Sequence, residues 1–151
     1  MLETILLVAA GTLVGHEICI AAFVHPIFYK LPDECHLRAA QPVAKLLGTV
    51  MPFWYITVLA LTAAECYFSR NGDPTTLHLL ESAAGLFVVS IVFTLLGPVP
   101  INNQIARLDP EHPPQNWLAL RKGWDRLHAI RVAIILIALI LLTAGIVVRS
   151  R

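Results

Sequence analysis

Four apolar stretches, each long enough to cross a bilayer, decide most of what this chain can become. They run from about 5 to 28, 46 to 68, 77 to 101 and 127 to 148. A spanning helix needs ~20 largely apolar residues. A lone segment in lipid must satisfy its own backbone N–H and C=O groups, which a helix does and an isolated strand does not. The expected fold is therefore all-α, an antiparallel bundle of four transmembrane helices in one integral membrane domain. Composition agrees, because 14% of the residues are charged against about a quarter in soluble domains. The first stretch carries Glu3 in place of a positive n-region and is too long for a signal sequence, so it reads as a retained helix.

The punctuation between stretches fits this count. Pro26, Pro32 and Pro42 fall at the end of the first helix and in the linker after it. Asn71-Gly72-Asp73-Pro74 is a short turn. Gly97-Pro98-Val99-Pro100 ends or kinks the third helix. Asp109 to Pro114 forms a polar, proline-rich loop, and the fourth helix is expected to start near Gln115, ahead of its membrane part. Lys30, Arg38, Lys45, Arg107, Arg121, Lys122 and Arg126 crowd one face, against Arg70, Arg149 and Arg151 on the other. The positive-inside rule then puts both termini on the non-cytoplasmic side.

A net charge of +1 gives no basis for a nucleic-acid partner. Cys19, Cys35 and Cys66 form no paired motif and read as buried spectators. No phosphate loop, dinucleotide fingerprint or serine nucleophile elbow is present.

Ionisable residues inside spans are expensive, and so point to function. The first helix carries His16 and Glu17 mid-run, then His25 before Pro26. The third ends on Asn102 and Asn103. The fourth opens with Trp117, Arg121, Trp124, His128 and Arg131, at steps of 4, 3, 4 and 3 that keep them on one helix face. Antiparallel threading brings His25, Met51, Trp54, Asn102, Asn103, Trp124, His128 and Arg131 to similar depth, with Glu17 about two turns deeper. A pocket between helices follows.

Blander readings exist for each of these residues. Trp117 and Trp124 suit interfacial anchoring. Arg121 suits snorkelling to headgroups. Arg131 and Glu17 make a structural ion pair, and His128 bonds a backbone carbonyl. His16 reads as a satisfied core histidine. His78 and Glu81 look like helix-end polar residues, and His36 and His112 look like loop residues. A sharper alternative is a metal held by Glu17, His25 and His128, although their spacing carries no metal signature.

Further motifs carry a resemblance. Pro100-Ile101-Asn102-Asn103-Gln104-Ile105 is followed by Trp124-Asp125-Arg126-Leu127-His128-Ala129-Ile130-Arg131. Together with Phe23-Val24-His25-Pro26, Leu31-Pro32 and Met51-Pro52-Phe53-Trp54-Tyr55, this resembles the anthrone oxygenase-like family of small four-helix membrane proteins. The resemblance implies oxidation of a lipophilic aromatic, anthrone- or quinol-like, by molecular oxygen without an added cofactor. It places Asn102, Asn103, Trp124 and Arg131 at family positions, whereas His128 departs from relatives that have Asn there.

On that reading His128 or Glu17 is the base, Arg131 and Asn103 stabilise an oxyanion, and Trp124 and Trp54 stack on the flat substrate. Asn102, His25 and Met51 complete the binding surface. Two other functions fit the same residues. One is a non-enzymatic small-molecule binder or transporter component, which with four helices would require a homo-oligomer. The other is a structural or assembly subunit whose Arg–Glu pair locks helices together.

Overall fold

The computed structural model describes residues 1–149, all of whose regular structure is helical. Arg151, counted above for topology, lies outside the described residues. The first span, Leu2–Phe28, is made of α1 (Leu2–Cys19), a π-helical turn (Ile20–Val24) and α2 (His25–Phe28). α3 (Asp33–Ser69) is the second span. α4 (Pro74–Leu96) and α5 (Pro98–Ile105) make the third, and α6 (Trp117–Arg149) the fourth. All four are long and apolar enough to cross a membrane.

The spans form a ring in which each packs on its two sequence neighbours and the first closes on the fourth. They run antiparallel. Gly97 meets Leu127 at one end of the third and fourth spans, and Gly145 meets Leu80 at the other. The core is one side chain per turn from each span: Leu6, Ala10 and Leu13, then Val58, Phe87, Ile135 and Leu142. Spacings of three and four put these on one stripe per helix. Phe53, Phe68, Leu96 and Ile140 are exposed on the outside of the bundle, as suits helices apolar enough to cross a membrane.

Two local devices set the helix ends. The Asp73 carboxylate accepts from the Thr76 N–H at 2.8 Å, and Pro74 occupies the first turn of α4. Gly97 breaks the third span. A Cβ there would meet Leu127 Cδ1 and the Phe93 carbonyl oxygen at 3.2 Å, so glycine lets the break press against α6.

α3 differs from expectation. It begins at Asp33, and Pro42 lies inside it rather than in a linker. Proline removes one helical hydrogen bond, and tertiary contacts offset that loss. Gln41 Nε2 donates to the carbonyls of Ile105 and Leu108 at 3.0 and 2.9 Å. His36 is buried against Trp117, with ring centroids 4.7 Å apart. At 37 residues and ~1.5 Å each, α3 is much longer than a ~30 Å hydrocarbon core. Its first turns therefore stand out beyond it, beside α5 and the start of α6.

Candidate functional site

The π-helical turn sets the site. Buried residues along the first span fall at Leu6, Ala10, Leu13, Glu17 and Ile20, and then at His25. The spacing jumps to five across Ile20–Val24. In a regular α-helix His25 would sit about 80° around the axis from Glu17. One extra residue in the turn returns it to within about 20°. Glu17 and His25 therefore face the same interior.

Glu17 is 2% exposed and is the hub of the inner cluster. Its Oε2 lies 2.8 Å from Arg131 Nη2, and its Oε1 accepts from the Tyr55 hydroxyl at 2.8 Å. Arg131 Nη2 also lies 2.9 Å from His128 Nδ1. A guanidinium only donates, so Nδ1 is the acceptor there. The ring proton then belongs on Nε2, which faces the Glu17 carbonyl at 3.3 Å. Nη1 reaches Thr94 Oγ1 at 3.4 Å, and the buried Nε has no protein partner. Arg131 thus keeps donors to spare where buried donors are ordinarily met.

The outer cluster centres on Asp125. His25 Nδ1 lies 3.2 Å from its Oδ1, as does Arg121 Nε, and the Tyr29 hydroxyl donates to Oδ2. The His25 and Arg121 contacts are ion-pair distances without hydrogen-bond alignment, since Asp125 Oδ1 and Arg121 Nε have no hydrogen-bond partner. No hydrogen bond engages either ring nitrogen of His25 among the described residues. Burial first, and then the bond to Asp125, push the Tyr29 phenol above its ordinary range, so it remains a donor. His25 packs edge-on to Trp124 and to His128, and Trp124 stacks on His128 at 5.0 Å with 10° between planes.

Both clusters wall a cavity of about 330 Å³. Met51, Ile20, Val24, Leu47 and Ile91 make most of its other surface apolar, and Asn102 sits at its edge. An apolar chamber with a few convergent polar groups is the usual form of a small-molecule site.

Several expectations need correction. Glu17 is not below the cluster but in it. Asn103 is exposed and lines a separate groove with Lys45, so it does not face Arg131. Trp54 does not line the cavity. Its Nε1 donates to the Ala9 carbonyl at 3.1 Å and ties α3 to α1. Arg121 does not snorkel: it is 4% exposed and lies over Trp124. Trp117 is buried under α3 and α5 with Leu37 and Ile105, not anchored at an interface. His36 is buried in α3 rather than in a loop. His16 is not satisfied, because its buried Nε2 has no partner and the residue borders the cavity. Cys19 and Cys35 are exposed, and only Cys66 is partly buried.

Among the described residues, no three His, Cys, Asp or Glu are placed to hold a metal ion. For Glu17, His25 and His128 the reason is visible. The Arg131 guanidinium occupies the space between Glu17 and His128 that a cation would need. His78 and Glu81 form an exposed pair at 3.8 Å, and His112 lies in a loop beside Asp109, as expected.

Sequence reasoning missed Tyr55, Thr94, Asp125 and Tyr29. Asp125 had a signal, since it lies four residues after Arg121 on the inward face of α6. Tyr55 stood only as the last residue of the Met51–Tyr55 motif, and Thr94 had no signal in the apolar run that hides it.

No curated protein and no solved structure matches the chain. A family model described as anthrone oxygenase matches residues 44–141, from the middle of α3 through most of α6. That stretch is well over half of the chain and carries Tyr55, Trp124, Asp125, His128 and Arg131, and so the chain belongs to the anthrone oxygenase family.

Proposed function

We propose that this protein is a membrane oxygenase that converts the activated methylene of a flat lipophilic aromatic of the anthrone type to a carbonyl with O2. The observation that carries the reading is Arg131. In a chain of this family, it faces a largely apolar cavity with donors left over after Glu17, His128 and Thr94 are served.

The overall reaction is Ar2CH2 + O2 → Ar2C=O + H2O. Carbon loses four electrons and dioxygen gains them. His25 is the base. It lines the cavity beside Asp125 with no hydrogen bond on its ring, whereas the Nδ1 lone pair of His128 is taken by Arg131. Removal of one methylene proton gives a delocalised anion that reduces oxygen and forms a C–O bond. The peroxide anion takes the proton back from His25. Loss of the second C–H proton then breaks the O–O bond, hydroxide leaves as water, and the carbonyl remains. Arg131 stabilises the negative oxygen at each stage, a role usually worth 10²–10³-fold in rate. Trp124 and Met51 hold the ring system, and Asn102 bonds an oxygen at its edge. Every electron comes from the substrate, so the scheme calls for no cofactor.

The face bearing α5 also carries most of the Lys and Arg, and we place it in the cytoplasm with both termini opposite.

Oxygen uptake by the purified protein with an anthrone tests the reading, beside protein-free, metal-stripped, Arg131→Ala and His25→Ala samples. Excess uptake with stoichiometric quinone, lost in both variants and kept after metal removal, is expected. Uptake no faster than the spontaneous background rejects the proposal. Retained tight binding of the quinone without turnover would instead make the protein a binder.

A further inference from the structure

The cavity is not closed on all sides. Gly48, Pro52, Leu59 and Cys66 lie on one stripe of α3, at steps of 4, 7 and 7. Leu59 and Cys66 pack against the core, as that stripe should where α3 meets α4. Gly48 and Pro52 lie on the same stripe yet are exposed, and they border the cavity. So do Ile56 and Leu95, 59% and 60% exposed. The second and third spans therefore pack together over one half of their length and part over the other.

The cause is the break at Gly97. Beyond it α5 leans on α6: Gly97 rests on Leu127, Ile101 comes up to Gly123, and Ile105 is buried with Trp117. α3 does not follow. The two meet again at Gln41, which holds the carbonyls of Ile105 and Leu108. Between that tie and the packed half lies a window rimmed by Gly48, Pro52, Ile56, Leu95, Val99 and Asn102. Its lower rim is apolar and lies inside the spans. Its upper rim continues, through Ala44, Gly48 and Asn102, into the groove that holds Lys45 and Asn103.

We infer that the substrate enters sideways from the bilayer through this window, apolar edge first, as a flat aromatic dissolved in lipid. This inference rests on the proposed function for the identity of the ligand, but not for the existence of the opening. Gly48 adjoins open space at the rim, since an added Cβ there meets nothing within 4 Å, so a large side chain at this position would stand in the window. Lys45 and Asn103 form a polar lip at headgroup level, where an oxygenated edge of the entrant would rest. The effective substrate concentration is then its mole fraction in the membrane, not its concentration in water.

The test uses the whole protein in phosphatidylcholine vesicles, with 9,10-anthraquinone as an unreactive probe. The readout is the part of the tryptophan emission that Trp124→Phe removes. Association should scale with probe per lipid. Gly48→Phe should slow it at least tenfold, Gly48→Ala should leave it within twofold, and Leu95→Ala should speed it. Leu95→Ala keeps the test alive if Gly48→Phe fails to fold. Unchanged rates in these variants, or rates set by aqueous probe alone, overturn the inference.

If wild type binds no anthraquinone, the proposed ligand class fails, and dibrominated phosphatidylcholine decides about the window. Quenching of Trp124 that Gly48→Phe relieves supports a lateral opening. No quenching, or equal quenching in both, rejects it. Where wild type does bind anthraquinone, a brominated chain that saturating probe does not displace assigns the window to lipid and overturns substrate entry.

Discussion

Two carboxylates are buried in this bundle, each held by an arginine of the fourth span, and they differ in what the arginine has left. Glu65 is 1% exposed and pairs with Arg149, which also bonds Ser69 Oγ at 3.1 Å and lies 3.4 Å from Glu3. These partners come from the ends of the first and second spans, and the Arg149 side chain is 41% exposed. That group is a clasp, with its remaining donors open to the surroundings. Glu17 and Arg131 are both buried, border a cavity, and leave an Nε–H with no partner. A buried ion pair alone is weak evidence of anything beyond structure. What separates the two is the cavity that Arg131 lines, together with its unmet donor.

The comparison breaks most sharply at Arg131. Arg131→Ala should lower turnover by about 10²–10³-fold, measured as quinone formation, and should also lower stability by leaving Glu17 buried and unpaired. Arg149→Ala should reverse the pattern, with turnover kept and unfolding in detergent easier by about 2 kcal/mol. Because Arg149 is partly exposed, that figure sits below the range for fully buried pairs. Glu65→Gln added to Arg149→Ala should restore most of the loss. Turnover that falls alike in both arginine variants would show that the clasp and the cavity act as one unit.

His25→Ala should lower turnover by at least about 10²-fold with little change in stability, and Asp125→Asn should lower it by less. Restored turnover with added imidazole in His25→Ala would sharpen the assignment of the base. The smallest effect should come from Trp54→Phe. It removes one hydrogen bond to Ala9, worth about 1 kcal/mol, and should leave turnover unchanged because the ring lies outside the cavity.

How much of this was legible in the sequence follows from the same contrast. The four spans and the inward face of α6 from Trp117 to Arg131 follow from apolar runs and helical spacing, whereas the pairing of Glu17 with Arg131 stayed open because residue counting put Glu17 about two turns deeper. Those are one-dimensional signals. Trp54 and Asn103 were placed by depth alone, and depth does not say which way a side chain turns. Trp54 faces α1, and Asn103 faces the groove beside Lys45. Pro42 misled for a related reason. A proline costs one hydrogen bond locally, and Gln41, His36 and Trp117 offset that cost from elsewhere in the fold. Glu65 and Arg149 are 84 residues apart, and they meet because the second and fourth spans end at the same face.

The π-helical turn has a consequence for how this protein tolerates change in length. It acts as a one-residue phase correction, and everything after it on the first span is aimed by that correction. Substituting Ala21 or Ala22 leaves the correction in place. Deleting either one and winding the rest as ordinary α-helix would make His25 the seventh residue after Glu17, about 20° away around the axis, so it would still face Asp125. Such a deletion should keep turnover. A single-residue insertion that the turn does not absorb should carry His25 about 100° further round, away from Asp125, and abolish turnover while the bundle still assembles. A reading frame of this kind, written in helix phase rather than in codons, makes the spacing between Glu17 and His25 as much a part of the site as the two side chains.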